Sequence, residues 1–273
     1  MPHIPVLQKE VIGYLDPQPN ENFIDCTFGE GGHSLAILEK NGPKGKVMGI
    51  DMFLRPGVAK ERLILAQDNF ANLKEIVEKN KFRPVHGILF DLGMSSWHLE
   101  ESGRGFSFKK REPLDMRYDQ MNQLTAEKIV NFWSKIEIEK ILQEYGEEKK
   151  AGRIAEFIVE ARKVRPIENA LQLAAVVDRA GANPRQTFQA LRIAVNDELN
   201  NVKTALPQAM EILEAGGRLA VISFHSLEDR IVKNLFKNPS FKILTKKPIV
   251  PSYGEIRNNP RSRSAKLRAI KKI

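Results

Sequence analysis

The stretch Asp25 to His33 reads D-C-T-F-G-E-G-G-H, and the fold of the chain can be worked out from it. The apolar residues before it predict a short buried strand, and residues 34–38 after it predict a helix. A strand that ends in an acidic residue and leads through a glycine-rich turn into a helix is typical of a nucleotide-binding loop. The glycines permit positive φ angles and the close approach of a ligand to the backbone. We therefore expect a ligand site at this turn.

A second acidic residue narrows the class of ligand. Residues 47–51 predict another strand, which ends in Asp51, where a carboxylate can accept both hydroxyls of a ribose. The glycines do not match the G-x-G-x-x-G pattern that serves a pyrophosphate, and Asp25 lies where it can meet an ammonium group. The pattern favours S-adenosylmethionine, which has an amino-acid end and a ribose but no phosphate. A tight turn without a ligand is the alternative.

The composition describes a globular chain in a reducing compartment. The chain has 273 residues, 42% of them hydrophobic, which is enough for one large domain or two small ones. A single cysteine, Cys26, excludes an internal disulfide framework, and we expect it to be buried. The sequence shows neither a signal peptide nor an apolar run that could span a bilayer, so we expect a cytoplasmic protein without a membrane partner. The five histidines lack metal-ligand spacing, so no metal site is expected.

Strands and helices alternate along both ends of the chain, which predicts an α/β fold with a mostly parallel sheet. Predicted strands cover residues 23–24, 47–51, 63–66, 85–91, 218–224, 241–245 and 266–270. Predicted helices cover residues 5–15, 34–38, 55–63, 71–80, 124–134, 136–144, 147–163, 168–180, 185–199, 202–214 and 226–236. Residues 92–108 are expected to form a long loop, and Ser226 is expected to cap the helix that follows it.

The central part of the chain predicts helices alone, which indicates an inserted all-helical domain. We therefore predict three segments. Residues 1–108 form the first part of the sheet domain, residues 109–204 the helical insertion, and residues 205–273 the second part of the sheet domain with a basic tail.

Two further side chains are candidates for the ligand site. Asp91 ends the fourth predicted strand, and ligands of a wound sheet lie beyond the carboxyl ends of its strands. It could contact a cofactor or a substrate amine, or it could cap the next turn. Phe70 follows the third strand and could flank an adenine, or it could belong to the core.

The formal net charge of +9 suits a polyanionic partner such as nucleic acid. Residues 104–111 interleave cations with phenylalanines, a combination that can meet phosphates and stack an unpaired base. A second group of cations lies near the end of the chain. The candidate RNA-binding residues are Arg104, Phe106, Phe108, Lys109, Lys110, Arg111, Arg257, Arg261, Arg263, Lys266 and Arg268. Solvated surface charge is the alternative for both groups.

With these motifs assembled, the chain resembles the bacterial 16S ribosomal RNA cytosine-N(4) methyltransferases, the RsmH or MraW family. The resemblance runs almost from end to end. Its motifs are H-I-P-V-L at 3–7, D-C-T-F-G-E-G-G-H at 25–33, G-I-D at 49–51, G-I-L-F-D-L-G-M-S-S at 87–96, R-G-F-S-F at 104–108, P-L-D-M-R at 113–117, Y-G-E-E at 145–148, T-F-Q-A-L-R-I-A-V-N-D-E-L at 187–199, G-G-R-L-A-V-I-S-F-H-S-L-E-D-R-I-V-K at 216–233 and N-P-R-S-R-S-A-K-L-R at 259–268.

The resemblance implies a class I S-adenosylmethionine-dependent methyltransferase fold interrupted by a helical domain. It implies methylation of the exocyclic amine of one cytidine in the decoding region of 16S rRNA, within the small ribosomal subunit. Family positions that hold the cofactor match Gly31, Gly32, His33, Asp51, Phe70 and Asp91, and His98 stands where the family has a glutamine.

For the chemistry, we expect the amine to be held in line with the methyl group, with Asp91 as the candidate catalytic residue. Two alternative functions stay open at this point. The chain could be a non-catalytic RNA-binding or ribosome assembly factor, or a nicotinamide-dependent oxidoreductase on the same sheet. It could also act as a homodimer.

Overall fold

The computed structural model describes residues 4–54, 60–94 and 96–273. The chain divides into two compact units. The first unit combines Met1–Gly93 with Leu199–Ile273, and the second unit is the continuous segment Met94–Glu198. The predicted segment boundaries, after residues 108 and 204, lie later in the chain than this division.

The first unit is built on a seven-stranded sheet with the order β3-β2-β1-β4-β5-β7-β6. Its strands are β1 Phe23–Asp25, β2 Val47–Asp51, β3 Leu63–Gln67, β4 Gly87–Leu92, β5 Arg218–Ser223, β6 Phe241–Ile243 and β7 Lys266–Lys272. The first five strands run parallel, and β7 pairs antiparallel with both β5 and β6. The expected class I architecture, an α/β fold with a mostly parallel sheet, is confirmed.

Helices cover the sheet of the first unit. They are α1 Gln8–Leu15, α2 Gly32–Lys40, α3 Leu73–Lys79, α10 Glu198–Ile212, α11 Ser226–Leu235 and α12 Tyr253–Asn258, with 3₁₀ turns at Phe70–Asn72 and Pro260–Ser264. The helix α12 was not predicted. Most of the helix predicted over 55–63 lies outside the described residues, and β3 begins at Leu63.

Alternation along β1 gives this sheet a core on each face. Phe23 and Ile24 are both fully buried, but they belong to different apolar clusters, because successive strand residues point to opposite faces. Phe23 packs in the cluster that contains Val11 of α1, and Ile24 in the one that contains Leu206 of α10. Cys26 is buried next to them, as predicted. A sheet buried on both faces leaves the carboxyl ends of its strands as the place for a ligand.

The second unit is helical and has one apolar core of its own. Its helices are α4 Ser96–Glu100, α5 Ala126–Phe132, α6 Lys135–Glu144, α7 Ala151–Val164, α8 Ala170–Arg179 and α9 Pro184–Asn196. The prediction that residues 92–108 form only a loop is wrong, since they contain α4. Within the described ranges of the whole chain, none of the helices combines the length and apolar character that a membrane crossing requires.

The turn after β5 corrects another prediction. The N-cap of α11 is His225, not Ser226, and its Nδ1 accepts the backbone N–H of Glu228 at 3.4 Å. In return, the buried Glu228 carboxylate accepts the backbone N–H of Phe224 at 2.8 Å. The imidazole of His225 caps the helix in place of the expected Ser226 hydroxyl, because a ring nitrogen can also accept a hydrogen bond from the first helical turn.

Candidate cofactor site

The turn after β1 is tied to the neighbouring strand β2. The N–H of Phe28 donates to the carbonyl of Ile50 at 2.9 Å, and the N–H of Gly29 donates to Asp51 Oδ2 at 2.7 Å. The turn closes through a 2.7 Å bond from the Gly31 N–H to the Phe28 carbonyl. These bonds hold the glycine-rich stretch at the carboxyl ends of β1 and β2, where a ligand of such a sheet is expected.

Two of the glycines of this turn are packed against side chains of the protein itself. A Cβ on Gly31, which has a φ of +79°, would lie 2.7 Å from the Phe28 ring. A Cβ on Gly32 would lie 2.3 Å from the side chain of Pro5. Gly29 differs, because the nearest atom to its Cβ would be 3.9 Å away. The turn is therefore closed by internal packing at two glycines and has room for a ligand at the third.

Helix α2 begins directly at this turn, and no side chain caps it. Its N-cap is Gly31, in the left-handed conformation. The first backbone N–H groups of a helix have no partner within the helix, and together with the helix dipole they favour an anionic group. The start of α2 therefore suits the carboxylate of an amino-acid ligand.

Asp25, at the end of β1, is 1% exposed and hydrogen-bonded on both carboxylate oxygens. The hydroxyl of Ser34 donates to Oδ2 at 2.8 Å, and the N–H of Thr27 donates to Oδ1 at 3.2 Å. Burial raises the pKa of Asp25, although the nearby His33 and these hydrogen bonds oppose the rise. Oδ2 keeps a second lone pair, so the carboxylate can still accept a bond from a ligand ammonium.

His33 and Asp91 form the least satisfied part of the site. Nε2 of His33 lies 3.6 Å from Oδ2 of Asp91, which is beyond hydrogen-bond length. Both ring nitrogens of His33 and Oδ1 of Asp91 are buried without a hydrogen-bond partner. Burial lowers the pKa of His33, but the carboxylates of Asp91 and Asp25 outweigh it, so the net shift is upward. Unpaired buried polar atoms are rare, so these three atoms are candidates for hydrogen bonds to a ligand.

Asp51 and Phe70 lie at the ends of β2 and β3. Besides its bond to the turn, Asp51 accepts the N–H of Phe53 at 3.0 Å. Burial raises its pKa, and these backbone bonds oppose the rise. Phe70 is partly buried and meets the ring of Phe90 edge-on, with centroids 5.6 Å apart. Both residues therefore lie in the first unit with Asp25, as the predicted arrangement requires.

His98 lies in the second unit, on the short helix α4. Its ring packs edge-on against those of Trp97, Phe106 and Tyr118, with centroid distances of 5.3, 5.2 and 4.8 Å. This aromatic cluster gives His98 a packing role within its own unit. Its predicted contact with the cofactor stays a prediction.

The basic loop of the second unit uses much of its side-chain chemistry internally. Phe106 is buried, and Phe108 packs against Phe188. Arg104 donates to main-chain carbonyls of residues 117 and 118, and Lys110 donates to those of residues 99 and 100. Lys109 and Arg111 are the exposed cations of this loop.

The basic residues near the end of the chain divide in the same way. Arg257, Arg261 and Arg263 are exposed on α12 and the following 3₁₀ turn. Arg268 is instead buried in β7, where its Nε lies 2.6 Å from Oδ1 of Asp229. Lys266 also approaches Asp229, at 3.7 Å. The structure thus places Arg268 in an ion pair, because alternate residues of a covered strand face the helix above it.

Some residues that shape the site were not singled out from the sequence. Thr27 and Ser34 hold Asp25, and Thr27 also accepts the N–H of Asp91 at 2.7 Å. Glu255 of α12 accepts the N–H of Leu7 at 2.7 Å and so fixes the segment that contains Pro5. The only available signal was the position of the two hydroxyl residues inside or beside the glycine motif, since their partners come from elsewhere in the chain.

Comparison with known proteins gives the family of the chain. The family model of the MraW methylase family matches residues 1–273. The chain is 44% identical to ribosomal RNA small subunit methyltransferase H of Dehalococcoides mccartyi over 100% of this chain and 87% of that protein. It is 43% identical to the protein of the same name from Halothermothrix orenii, over 99% of this chain and 98% of that one.

Solved structures are more distant. An rRNA methylase from Streptococcus thermophilus aligns with a TM-score of 0.42 and 12% identity, over 100% of this chain and 99% of that one. The match to the family model over the whole chain favours methyl transfer over the nicotinamide-dependent alternative, and it confirms the predicted resemblance. The chain belongs to the MraW methylase family, and it is a methyltransferase.

Proposed function

We propose that this chain transfers a methyl group from S-adenosylmethionine to the exocyclic N(4) amine of one cytidine in the 16S rRNA of the small ribosomal subunit. One structural observation carries the proposal. Of the five buried side-chain atoms without a hydrogen-bond partner among the described residues, three belong to His33 and Asp91. These three atoms lie beside the uncapped start of α2. Because the chain belongs to a family of methylases, a methyl donor is the ligand that suits this place.

The residues present fit S-adenosylmethionine. The start of α2 suits its carboxylate, the carboxylates of Asp25 and Asp91 suit its cationic groups, and Asp51 suits its ribose. When bound, the cofactor supplies a methyl group activated by a positively charged sulfur. Family membership and the names of the relatives support this choice of donor.

The chemistry asked of the protein is mainly positioning. The lone pair of a cytosine amine is delocalised into the ring, so the amine is a weak nucleophile. Asp91 can accept a hydrogen bond from that amine, which favours localisation of the lone pair on nitrogen. Alignment of the amine with the methyl group would supply the rest of the acceleration, without a covalent intermediate. The unpartnered Oδ1 of Asp91 supports this role.

An RNA substrate would be held by its backbone and read at a base that has left its stack. The exposed cations of the two basic segments support phosphate contacts, and they are Lys109, Arg111, Arg257, Arg261 and Arg263. The names of the relatives specify the small subunit. The homodimer stays a prediction.

The test combines binding and product analysis. Calorimetry with S-adenosylmethionine measures binding to the purified chain. Small ribosomal subunits and naked 16S rRNA, both from a strain that lacks this gene, are then incubated with the protein and the cofactor. We expect binding, and one N(4)-methylated cytidine for each molecule of the preferred substrate by nucleoside mass spectrometry.

Each arm can contradict a different part of the proposal. Binding without any methylated nucleoside would favour the assembly-factor alternative. Methylation at another position or another base would keep the enzyme class and overturn the predicted target. A protein that binds no cofactor would overturn the proposed function as a whole.

A further inference from the structure

The strands β1 and β4 part at the point where the site begins. Their last main-chain contact is the 2.9 Å bond from the Cys26 N–H to the Leu89 carbonyl. The next donor along β4 is the N–H of Asp91, and it finds no backbone acceptor on β1. It donates instead to the side-chain oxygen of Thr27 at 2.7 Å. A threonine hydroxyl therefore joins the two strands at the mouth of the crevice between them.

The same hydroxyl also approaches the other carboxylate of the site. Thr27 Oγ1 lies 3.4 Å from Oδ1 of Asp25, and the backbone N–H of Thr27 donates to that oxygen at 3.2 Å. A hydroxyl has one donor and two acceptor positions, so it can accept from Asp91 and donate toward Asp25 at once. Thr27 is thus the one side chain among the described contacts that bonds to both of these residues.

We propose that Thr27 is a positioning residue for methyl transfer, which sets the spacing of Asp25 and Asp91 and keeps Oδ1 of Asp91 turned to the ligand. This inference rests on the proposed function. Asp25 is held on both oxygens, whereas the Asp91 carboxylate has no hydrogen-bond partner on Oδ1. The bond from the Asp91 N–H to Thr27 therefore holds the backbone from which this carboxylate projects.

Two substitutions separate the hydroxyl from the shape of the residue. Thr27→Val keeps the branched shape and removes the hydroxyl, which leaves the Asp91 N–H without its acceptor. Thr27→Ser keeps the hydroxyl and removes a methyl group. Thr187→Val is the matched control, because Thr187 is also buried but its hydroxyl has no hydrogen-bond partner.

The measurements are single-turnover methylation of small subunits at saturating S-adenosylmethionine, cofactor affinity by calorimetry and thermal unfolding. A small displacement of a reacting group can reduce a rate by about 100-fold, so we expect Thr27→Val to lower the single-turnover rate by roughly 10- to 100-fold. Its cofactor affinity should change much less than its rate. Thr27→Ser should recover most of the rate, and Thr187→Val should keep the parental rate.

Three outcomes would overturn the inference. A parental rate in Thr27→Val would show that the hydroxyl is dispensable. An equal loss in Thr27→Ser would assign the effect to packing. A fall in affinity as large as the fall in rate would make Thr27 a binding residue only. A parent protein that neither binds the cofactor nor methylates RNA would instead overturn the proposed function, and this inference with it.

Discussion

The two units of this chain differ in how many of their helices begin at a capping side chain. In the second unit, helices α5, α6, α8 and α9 each begin at a side chain that accepts a backbone N–H of the first turn. Two of these starts, at Ser134 and Asn169, are full capping boxes. In the first unit, α1, α2 and α3 begin without any side-chain cap, as does α7 of the second unit, whereas α11 and α12 are capped by His225 and Ser252. The unpartnered atoms of His33 and Asp91 lie in the first unit.

In the first unit, the uncapped start of α2 coincides with buried polar atoms that have no partner. A capping side chain satisfies one of the four free N–H groups at the start of a helix, whereas an uncapped start leaves all four available. Burial of polar atoms without partners costs stability, so it is expected where a ligand supplies the missing bonds. We therefore expect the cofactor to contact the first unit at the start of α2.

The largest expected effect is on Asp91, in the first unit. Asp91→Asn keeps the size and one acceptor oxygen but removes the charge that would polarise the target amine. We expect turnover to fall by about 10- to 10,000-fold, the range for groups that handle protons, with a much smaller loss of cofactor affinity. Single-turnover methylation and calorimetry on the same protein measure the two quantities.

Glu39→Gln is the control for this loss of charge, because Glu39 is exposed on α2. It should leave both quantities unchanged. If rate and affinity fall together in Asp91→Asn, Asp91 only binds the cofactor.

One glycine with a positive φ angle in each unit allows the effect of the same substitution to be compared between the units. Gly31→Ala adds backbone strain and places the new Cβ only 2.7 Å from the Phe28 ring. We therefore expect the free energy of unfolding to fall by about 2–4 kcal/mol and the cofactor to bind more weakly. Gly103→Ala in the second unit has a φ of +66° but no atom within 4 Å of the new Cβ, so strain alone should cost about 1–2 kcal/mol.

Urea unfolding can assign these costs to the units. Both tryptophans, Trp97 and Trp133, belong to the second unit, so their fluorescence reports on it, whereas far-ultraviolet circular dichroism reports on both units. Cofactor affinity should fall only in Gly31→Ala. Equal losses of cofactor affinity in the two variants would contradict the assignment of cofactor binding to the first unit.

Exposed cations of the two units allow a comparison of their RNA contacts. One variant replaces Arg257 and Arg263 with Ala, and the other replaces Lys109 and Arg111. Removal of one phosphate contact should reduce the slope of log affinity against log salt by roughly 0.7–0.9. Filter binding of 16S rRNA over a salt series measures the slope, and cofactor affinity should not change. If only one variant changes the slope, the phosphate contacts belong to that unit. A slope unchanged in both would mean that these cations are only solvated.

The smallest effect concerns the pH dependence of stability in the first unit. The carboxylates that face His33 are Asp91 and Asp25, and they raise its pKa above the usual 6.5. A raised pKa means that the folded protein holds the proton more tightly, so this stabilisation is complete below about pH 6.5. It is lost as the pH rises through the folded value. Thermal unfolding of the ligand-free protein should therefore show a stability that falls as the pH rises from about 6.5 through the folded-state pKa of His33.

His33→Gln should flatten this dependence. An unchanged pH profile in His33→Gln would contradict the assignment. In that case Asp25, whose pKa burial also raises, becomes the group to replace.

The sequence predicted features that depend on neighbours in the chain. The glycine turn, the strands that end in Asp25, Asp51 and Asp91, and the run of helices all follow from local composition and periodicity. It did not predict Thr27, because its partner Asp91 is 64 residues away and becomes visible only when β1 and β4 are side by side.

The other differences between the sequence predictions and the structure also depend on contacts or geometry that the sequence does not show. Arg268 resembles a surface cation in the sequence, but Asp229, 39 residues earlier, pairs with it once β7 lies beside β5. The helix α4 has only five residues, which is too short to show a periodic pattern. The cap of α11 was misplaced because the sequence offers Ser226 beside His225, and geometry alone decides between them.

The place of β7 in the sheet has a consequence for the order in which the protein can be completed during synthesis. The helical unit is a continuous segment, so its contacts are available once residue 198 has been made. The sheet is not complete until residues 266–272 have been made, because β7 lies between β5 and β6. We expect ribosome-bound chains that stop before β7 to contain a protease-resistant helical unit beside an unfinished sheet. A new copy of this enzyme would then gain its methyl-transfer site only near the end of its own translation.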